Sequence, residues 1–151
     1  MGKLKIEYRI KSVNPKGLDD FKGCAYFLFT VMSGTATLTD GMNVYDIGAC
    51  GLLEVSYKLV YACTTSLLHR TRVTALSEEM DVEANLDGET LRLRAWNPQG
   101  GAVVEFDLDP LEALAEIGRF HGELVKALYA TDDRYQRDSR ILQCLVFAPP
   151  T

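Results

Sequence analysis

The sequence lacks the long apolar run that a membrane-spanning helix requires. About 18 consecutive apolar residues or more are needed to cross a bilayer, and no such run occurs among the 151 residues. The first twelve residues alternate basic and apolar side chains, which is not the pattern of a secretory signal peptide. We therefore expect a cytoplasmic protein without membrane association.

The sequence also lacks the short motifs of the commonest enzyme and cofactor sites. It contains no glycine-rich phosphate-binding loop, no nucleophile elbow, no paired zinc-binding histidines and no calcium-binding loop. Cys24, Cys50, Cys63 and Cys144 are too widely spaced to form a close metal-binding pair. We therefore expect no metal and no cofactor, and we interpret the cysteines as reduced residues that pack in the core.

Excess positive charge is missing as well. The formal net charge is -5 and the isoelectric point is near 5.0, which argues against nucleic acid or an anionic membrane as the partner. Basic residues do concentrate near the N-terminus, without the interleaved aromatic residues that bind nucleic acid. They are Lys3, Lys5, Arg9, Lys11, Lys16 and Lys22.

The composition is that of an ordinary globular protein. Hydrophobic residues make up 47% and charged residues 25% of the chain, so extended disorder and coiled coil are disfavoured. A chain of this length is typical of one compact domain. We predict a single domain over residues 1–151.

Alternating patterns predict strands in the first third of the chain. Residues 4–11 place apolar and charged side chains on opposite faces, as in a half-exposed strand. Residues 24–32 are apolar at nearly every position and predict a central strand buried on both faces. The Asp40-Gly41 pair predicts a hairpin between strands at 35–39 and 42–47.

Residues 50–68 fit two patterns. With a period of two they form a long strand, which their tyrosines and threonines favour. With a helical period, an apolar stripe lies opposite Glu54 and Lys58, which form a favourable i,i+4 pair. Because a strand of that length is unusual, we predict a helix over 50–68.

A second hairpin is predicted at Asp87-Gly88. A two-residue turn there places Val82 opposite Leu93 and Glu83 opposite Arg92, so that apolar meets apolar and acid meets base. Residues 102–108 alternate in the same way and predict a third strand of this meander.

The end of the chain contains the clearest helix. Asp109 as N-cap and Pro110 at the first helical position begin a helix over 109–130, whose predicted apolar stripe includes Leu111, Ile117 and Leu124. A charged segment follows, and residues 141–148 predict a last strand. The expected fold is α+β: a mainly antiparallel sheet of about six or seven strands, with the helices 50–68 and 109–130 on one face.

Acidic residues form the strongest charge block. Residues 78–89 contain six acidic residues and no basic one. Such a block can be a solvated face, or it can steer a basic partner together with the start of the last helix. The candidate partner-binding acids are Glu78, Glu79, Asp87, Glu89, Asp109 and Glu112.

Three further residues are candidate anchors for a partner. Trp96, Arg134 and Tyr135 belong to residue types that are enriched among interface hot spots. The alternative is that Trp96 lies at the edge of the core and that Arg134 pairs with neighbouring aspartates.

Two residues are weak candidates for catalysis. His121 lies in the apolar stripe of the last helix, where it is either a buried general base or a hydrogen-bonded core histidine. Cys63 is the other, as a reactive thiol.

Size, acidity and the missing motifs favour a binding protein over an enzyme. We expect a small acidic protein that sequesters or inhibits a protein partner, as immunity proteins, antitoxins and secretion chaperones do, and the acidity favours a basic partner. The alternative is a small-molecule binding protein or enzyme with a pocket between the sheet and the last helix near His121. A homodimer formed through sheet edges is also compatible with the sequence.

Overall fold

A computed structural model describes residues 2–77 and 79–145 of the chain. In chain order the elements are β1 (Lys5–Val13), α1 (Cys24–Thr30), β2 (Met32–Thr39), β3 (Val44–Gly51), α2 (Leu52–His69), β4 (Val73–Ala75), β5 (Asp81–Asp87), β6 (Thr90–Trp96), β7 (Val104–Leu108), α3 (Pro110–Thr131), α4 (Arg134–Arg137) and α5 (Ser139–Leu145). The fold is α+β, as predicted.

The described strands form two antiparallel sheets and not one. The first has three strands in the order β1-β2-β3, and the second has four in the order β4-β5-β6-β7. The hairpin predicted around Asp40-Gly41 is confirmed as β2 and β3, with Thr39 paired to Val44. The single sheet of six or seven strands that was predicted is therefore two sheets, and the break lies between edge strands β1 and β7.

At the edge of β1 that faces β7, side chains of α3 take the place of a neighbouring strand. The Asn43 side chain, in the turn between β2 and β3, donates to the Glu105 carbonyl of β7 at 3.1 Å, and Gly2 forms a single parallel bridge to Leu108. Beyond it, the Ile6 amide donates to Glu116 Oε2 at 2.7 Å, and Arg119 donates to the Ile6 carbonyl at 2.8 Å. Side chains of α3 therefore satisfy both backbone groups of Ile6 in place of a neighbouring strand.

Helix α2 is the centre of the core, and its prediction over 50–68 is confirmed. Eleven of its 18 residues are buried, because it packs against strands of both sheets and against α1 and α3. This burial explains why the sequence also fitted a strand: tyrosines and threonines occur on a helix that is covered on most sides.

Residues 24–32 were predicted as a strand, and this is wrong: residues Cys24–Thr30 form helix α1. A short segment that is apolar at nearly every position fits a buried strand and a buried helix equally well. Phe27 and Leu28 are the residues of α1 that reach the core, and the chain enters the helix at Gly23 with φ of 113°, a value that favours glycine.

The last predicted strand, 141–148, is also wrong for the part that the structure describes. Residues Ser139–Leu145 form helix α5, and 146–148 lie outside the described residues. Cys24 of α1 and Cys144 of α5 form a disulfide, with Cα atoms 5.1 Å apart. The expectation of four reduced cysteines is thus wrong for this pair, whereas Cys50 and Cys63 are free and buried.

The second hairpin is confirmed as β5 and β6, but its register differs from the prediction. Val82 pairs with Ala95 and Glu83 with Arg94, two positions further along β6 than expected. Gly88, with φ of 62°, is the first central residue of the turn, where a type II′ hairpin requires glycine. A shift of two positions keeps every side chain on its predicted face.

Helix α3 begins as predicted. The Asp109 side chain accepts a hydrogen bond from the Glu112 amide at 3.0 Å, which satisfies one backbone donor of the first turn. Its buried side includes Ile117, Phe120 and Leu124. Leu111 was predicted in this stripe, but this prediction is wrong, because Leu111 is 78% exposed.

Candidate functional site

Four of the predicted acidic residues meet at one end of the four-stranded sheet. Leu91 pairs with Leu108, so the turn that joins β5 to β6 lies beside the end of β7 and the start of α3. Asp87 and Glu89 lie at this turn, and Asp109 and Glu112 lie at the start of α3. We call these four residues the acidic end.

An exposed leucine lies within the acidic end. Leu111 stands between Asp109 and Glu112 on the first turn of α3, and 78% of its surface is accessible. A large exposed apolar side chain with charged neighbours is an arrangement typical of interaction surfaces.

Most of the acidic end is not neutralised by basic side chains. Glu89, Asp109 and Glu112 form no ion pair with a lysine or arginine of the described residues. Asp87 lies 3.7 Å from an Arg92 nitrogen, but Arg92 also contacts Asp107 at 3.0 Å. The acidic end therefore carries a net negative charge.

The arginines of β6 have different partners from those predicted. The register predicted from the sequence placed Arg92 opposite Glu83 and Arg94 opposite Asp81, so both arginines were expected to neutralise acids of β5. Arg94 instead contacts Glu105 of β7 at 2.6 Å, and Glu83 of β5 lies 3.6 Å from Arg72. The shifted register explains the change for Arg92, which lies opposite Asn85 and beside Asp107. Arg94 lies between Glu83 and Glu105 in the sheet, and its side chain contacts Glu105.

Other candidate residues lie away from the acidic end. Glu79 and Trp96 are at the opposite end of β5 and β6, since Trp96 pairs with Asp81. Both are half-buried. Arg134 contacts Asp132 at 2.7 Å, as the alternative interpretation proposed. Glu78 lies outside the described residues.

Tyr135 is placed in the core and presents no surface to a partner. Its side chain is fully buried, and its hydroxyl accepts from the Gly17 amide at 3.1 Å and donates to the Asn14 carbonyl at 2.7 Å. Tyr135 therefore holds the segment between β1 and α1 against helix α4.

His121 is a buried histidine that links two helices. Its Nδ1 lies 2.8 Å from the Ser56 hydroxyl of α2, and Ser56 also donates to the Leu53 carbonyl at 3.1 Å. Burial lowers the pKa of His121 to about 4, so the ring is neutral at physiological pH. A general base works best with a pKa near the working pH, and this geometry favours a core histidine.

Cys63 has no features of a reactive thiol. Burial raises the pKa of its thiol to about 12, which leaves almost no thiolate at neutral pH. Neither of the surface cavities described for this chain is lined by Cys63 or His121.

One surface feature gave no clear signal in the sequence. A cavity of about 430 Å³ lies on the three-stranded sheet, where Arg9, Thr35 and Ala49 are exposed. Its basic residues were visible as the N-terminal concentration of positive charge, but the sequence could not show that they line a cavity.

Comparisons with known proteins give no information on function. No family model, curated protein or solved structure matches the chain. Among residues 2–77 and 79–145, no helix combines the length and apolar character needed to cross a membrane. The same part of the chain brings together no group of three or more histidine, cysteine or acidic residues that could hold a metal ion.

Proposed function

We propose that the chain binds a protein partner through the acidic end and covers a basic surface of that partner. The observation that supports this most directly is the register that places Asp87 and Glu89 beside Asp109 and Glu112, with Leu111 exposed among them. A partner whose basic working surface is covered in this way is inhibited or held inactive, as by an immunity protein, an antitoxin or a chaperone.

The negative charge acts mainly on the rate of association. Charged surfaces steer an oppositely charged partner and can raise the association rate by about 10- to 1,000-fold. Salt screens the attraction beyond about 8 Å at physiological ionic strength. The association rate of the complex is therefore expected to fall steeply as salt is added.

Leu111 acts mainly on the lifetime of the complex. Burying a leucine side chain contributes about 1.5–3 kcal/mol relative to leaving it exposed, and each 1.4 kcal/mol changes affinity about tenfold. Because Leu111 is largely exposed in the free chain, most of this contribution is available on binding.

The charge test removes all four carboxylates of the acidic end without changing its shape. In the variant Asp87→Asn, Glu89→Gln, Asp109→Asn, Glu112→Gln, the asparagine at 109 still caps α3. Purified wild-type chain and variant are immobilised and exposed to an extract of the source cells, and retained proteins are identified by mass spectrometry. The expected result is a protein with a basic surface that only the wild-type chain retains.

A matched control neutralises four acids elsewhere. The variant Glu7→Gln, Asp19→Asn, Asp20→Asn, Asp133→Asn has the same net charge, and its changed residues are exposed. It is expected to retain the partner with a wild-type association rate. Equal loss of binding in both variants, or binding that does not change with salt, would show that the acidic end is not the site.

The apolar contact is tested separately. Leu111→Ser is expected to raise the dissociation rate about tenfold or more, whereas Leu68→Ser, which changes a leucine that is 74% exposed on α2, is expected to have no effect. A retained partner that proves to be a second copy of this chain would replace the proposed complex with a homodimer.

A further inference from the structure

The outer face of β1 carries two basic side chains without acidic partners. Lys5 contacts Glu7 at 3.2 Å, but Arg9 and Lys11, further along the same face, form no ion pair with a carboxylate of the described residues. Both are exposed. Their charge is therefore available to an anion from solution.

Two β-bulges curve the sheet at this position. Lys11 is the extra residue where the register between β1 and β2 shifts, and Ile47 is the extra residue where the register between β2 and β3 shifts. Gly48, with φ of 75°, follows Ile47. Bulges bend a strand and increase its twist, and they occur often beside functional sites. The shift in β1 lies opposite residues 33–34 of β2 and the shift in β3 lies opposite residues 36–37, on either side of Thr35.

The curved face contains a cavity of about 430 Å³. Arg9, Thr35 and Ala49 lie side by side across the three strands, and Lys11 lies one row away. Ala49 contributes only a methyl group to this row, beside the longer side chains of Arg9 and Thr35. The lining residues are Arg9, Ile10, Lys11, Gly34, Thr35 and Ala49.

We propose that this cavity binds the phosphate group of a small phosphorylated molecule. A guanidinium group can donate two parallel hydrogen bonds to a phosphate, and an ammonium group supplies a second point charge. In this cavity Arg9 and Lys11 provide these groups, and the Thr35 hydroxyl provides a further donor. The site lies on the three-stranded sheet and is independent of the acidic end.

The size and lining of the cavity favour a small molecule over a polymer. Its volume lies within the range of about 300–1,000 Å³ that is typical of small-molecule sites. No aromatic side chain lines it, and proteins that bind single-stranded nucleic acid use aromatic residues to stack bases. The net charge of -5 also opposes general attraction to a polyanion.

The test is a titration of the intact chain with inorganic phosphate, followed by two-dimensional NMR of the backbone amides. The expected result is a saturable shift of the Gly34, Thr35 and Ala49 resonances. Ribose 5-phosphate is expected to produce the same shifts at lower concentration, and ribose none. Arg9→Gln or Lys11→Gln is expected to weaken phosphate binding about tenfold, the effect of losing one charged hydrogen bond.

A charge-matched control and two polymer arms make the result decisive. The variant Lys16→Gln, Lys126→Gln removes two exposed lysines elsewhere and is expected to bind phosphate as the wild-type chain does. Absence of saturable shifts, or equal weakening in the control, would overturn the site. If a single-stranded oligonucleotide or vesicles of anionic phospholipid shift these resonances while ribose 5-phosphate does not, the proposed class of ligand is wrong.

Discussion

The neutral His121 side chain makes the stability of the fold depend on pH in a defined way. Its pKa is lowered from 6.5 to about 4 in the folded chain, because burial against α2 disfavours the charged imidazolium. In the unfolded chain the same residue binds a proton with its ordinary pKa. Protonation therefore favours unfolding, and the contribution of His121 is fully present above the unfolded pKa and is lost as the pH falls towards 4.

The size of the effect follows from the difference between the two pKa values. Each pKa unit corresponds to about 1.4 kcal/mol, so the shift of His121 is worth about 3 kcal/mol once the pH is below both values. Between pH 7 and pH 5 the expected loss in the free energy of unfolding from this residue alone is about 2 kcal/mol. Other groups titrate in the same range, so a comparison between variants is required.

The assay is urea denaturation at pH 7 and pH 5 of the wild-type chain, His121→Gln and His69→Gln. His69 is the matched control, since it is the other of the chain's two histidines and is exposed. The free energy of unfolding of His121→Gln is expected to fall by about 2 kcal/mol less than that of the other two proteins between these pH values.

Two results would refute this reasoning. One is an equal pH dependence in all three proteins. The other is an NMR titration in which the His121 ring of the folded chain gains its proton near pH 6.5, its unperturbed value. The second result would also restore His121 as a possible general base, because its pKa would then suit proton transfer at neutral pH.

Three further changes test the packing. The variant Cys24→Ser, Cys144→Ser opens a loop whose ends are separated by 120 residues. The chain-entropy model predicts that the free energy of unfolding falls by up to about 5 kcal/mol. Four titratable thiols in the wild-type chain would contradict the disulfide. Gly34→Ala is expected to lower the free energy of unfolding by about 1–3 kcal/mol, because the added methyl group would overlap the Arg9 carbonyl oxygen. An unchanged midpoint of urea denaturation would contradict this close contact between β1 and β2. Tyr135→Phe removes a hydroxyl that binds two backbone groups and is expected to lower the free energy of unfolding by about 1–3 kcal/mol. Amide hydrogen exchange of residues 14–17 is expected to become faster, and unchanged exchange would show that the hydroxyl does not hold this segment.

The sequence alone determined the elements whose signals are local. The cap and first turn of α3 depend on Asp109 and Pro110, which act within one turn of the helix. The hairpin at Gly88 depends on a residue that tolerates positive φ, and the alternation of β5 and β6 decided which side chains face the core. For α2, the helical period and the length of the segment together predicted a helix correctly, although the same residues also fitted a strand pattern.

The tertiary structure alone decided what depends on distant neighbours. Residues 24–30 and 139–145 are apolar enough for either secondary structure, and as helices they pack against each other, joined by the Cys24–Cys144 disulfide, while α1 also packs against α2. Whether the acidic end and the basic cavity exist depends on strand register, on bulges and on where α3 begins relative to the turn between β5 and β6. Periodicity reports which face of an element is buried, but not which residues of other elements lie beside it.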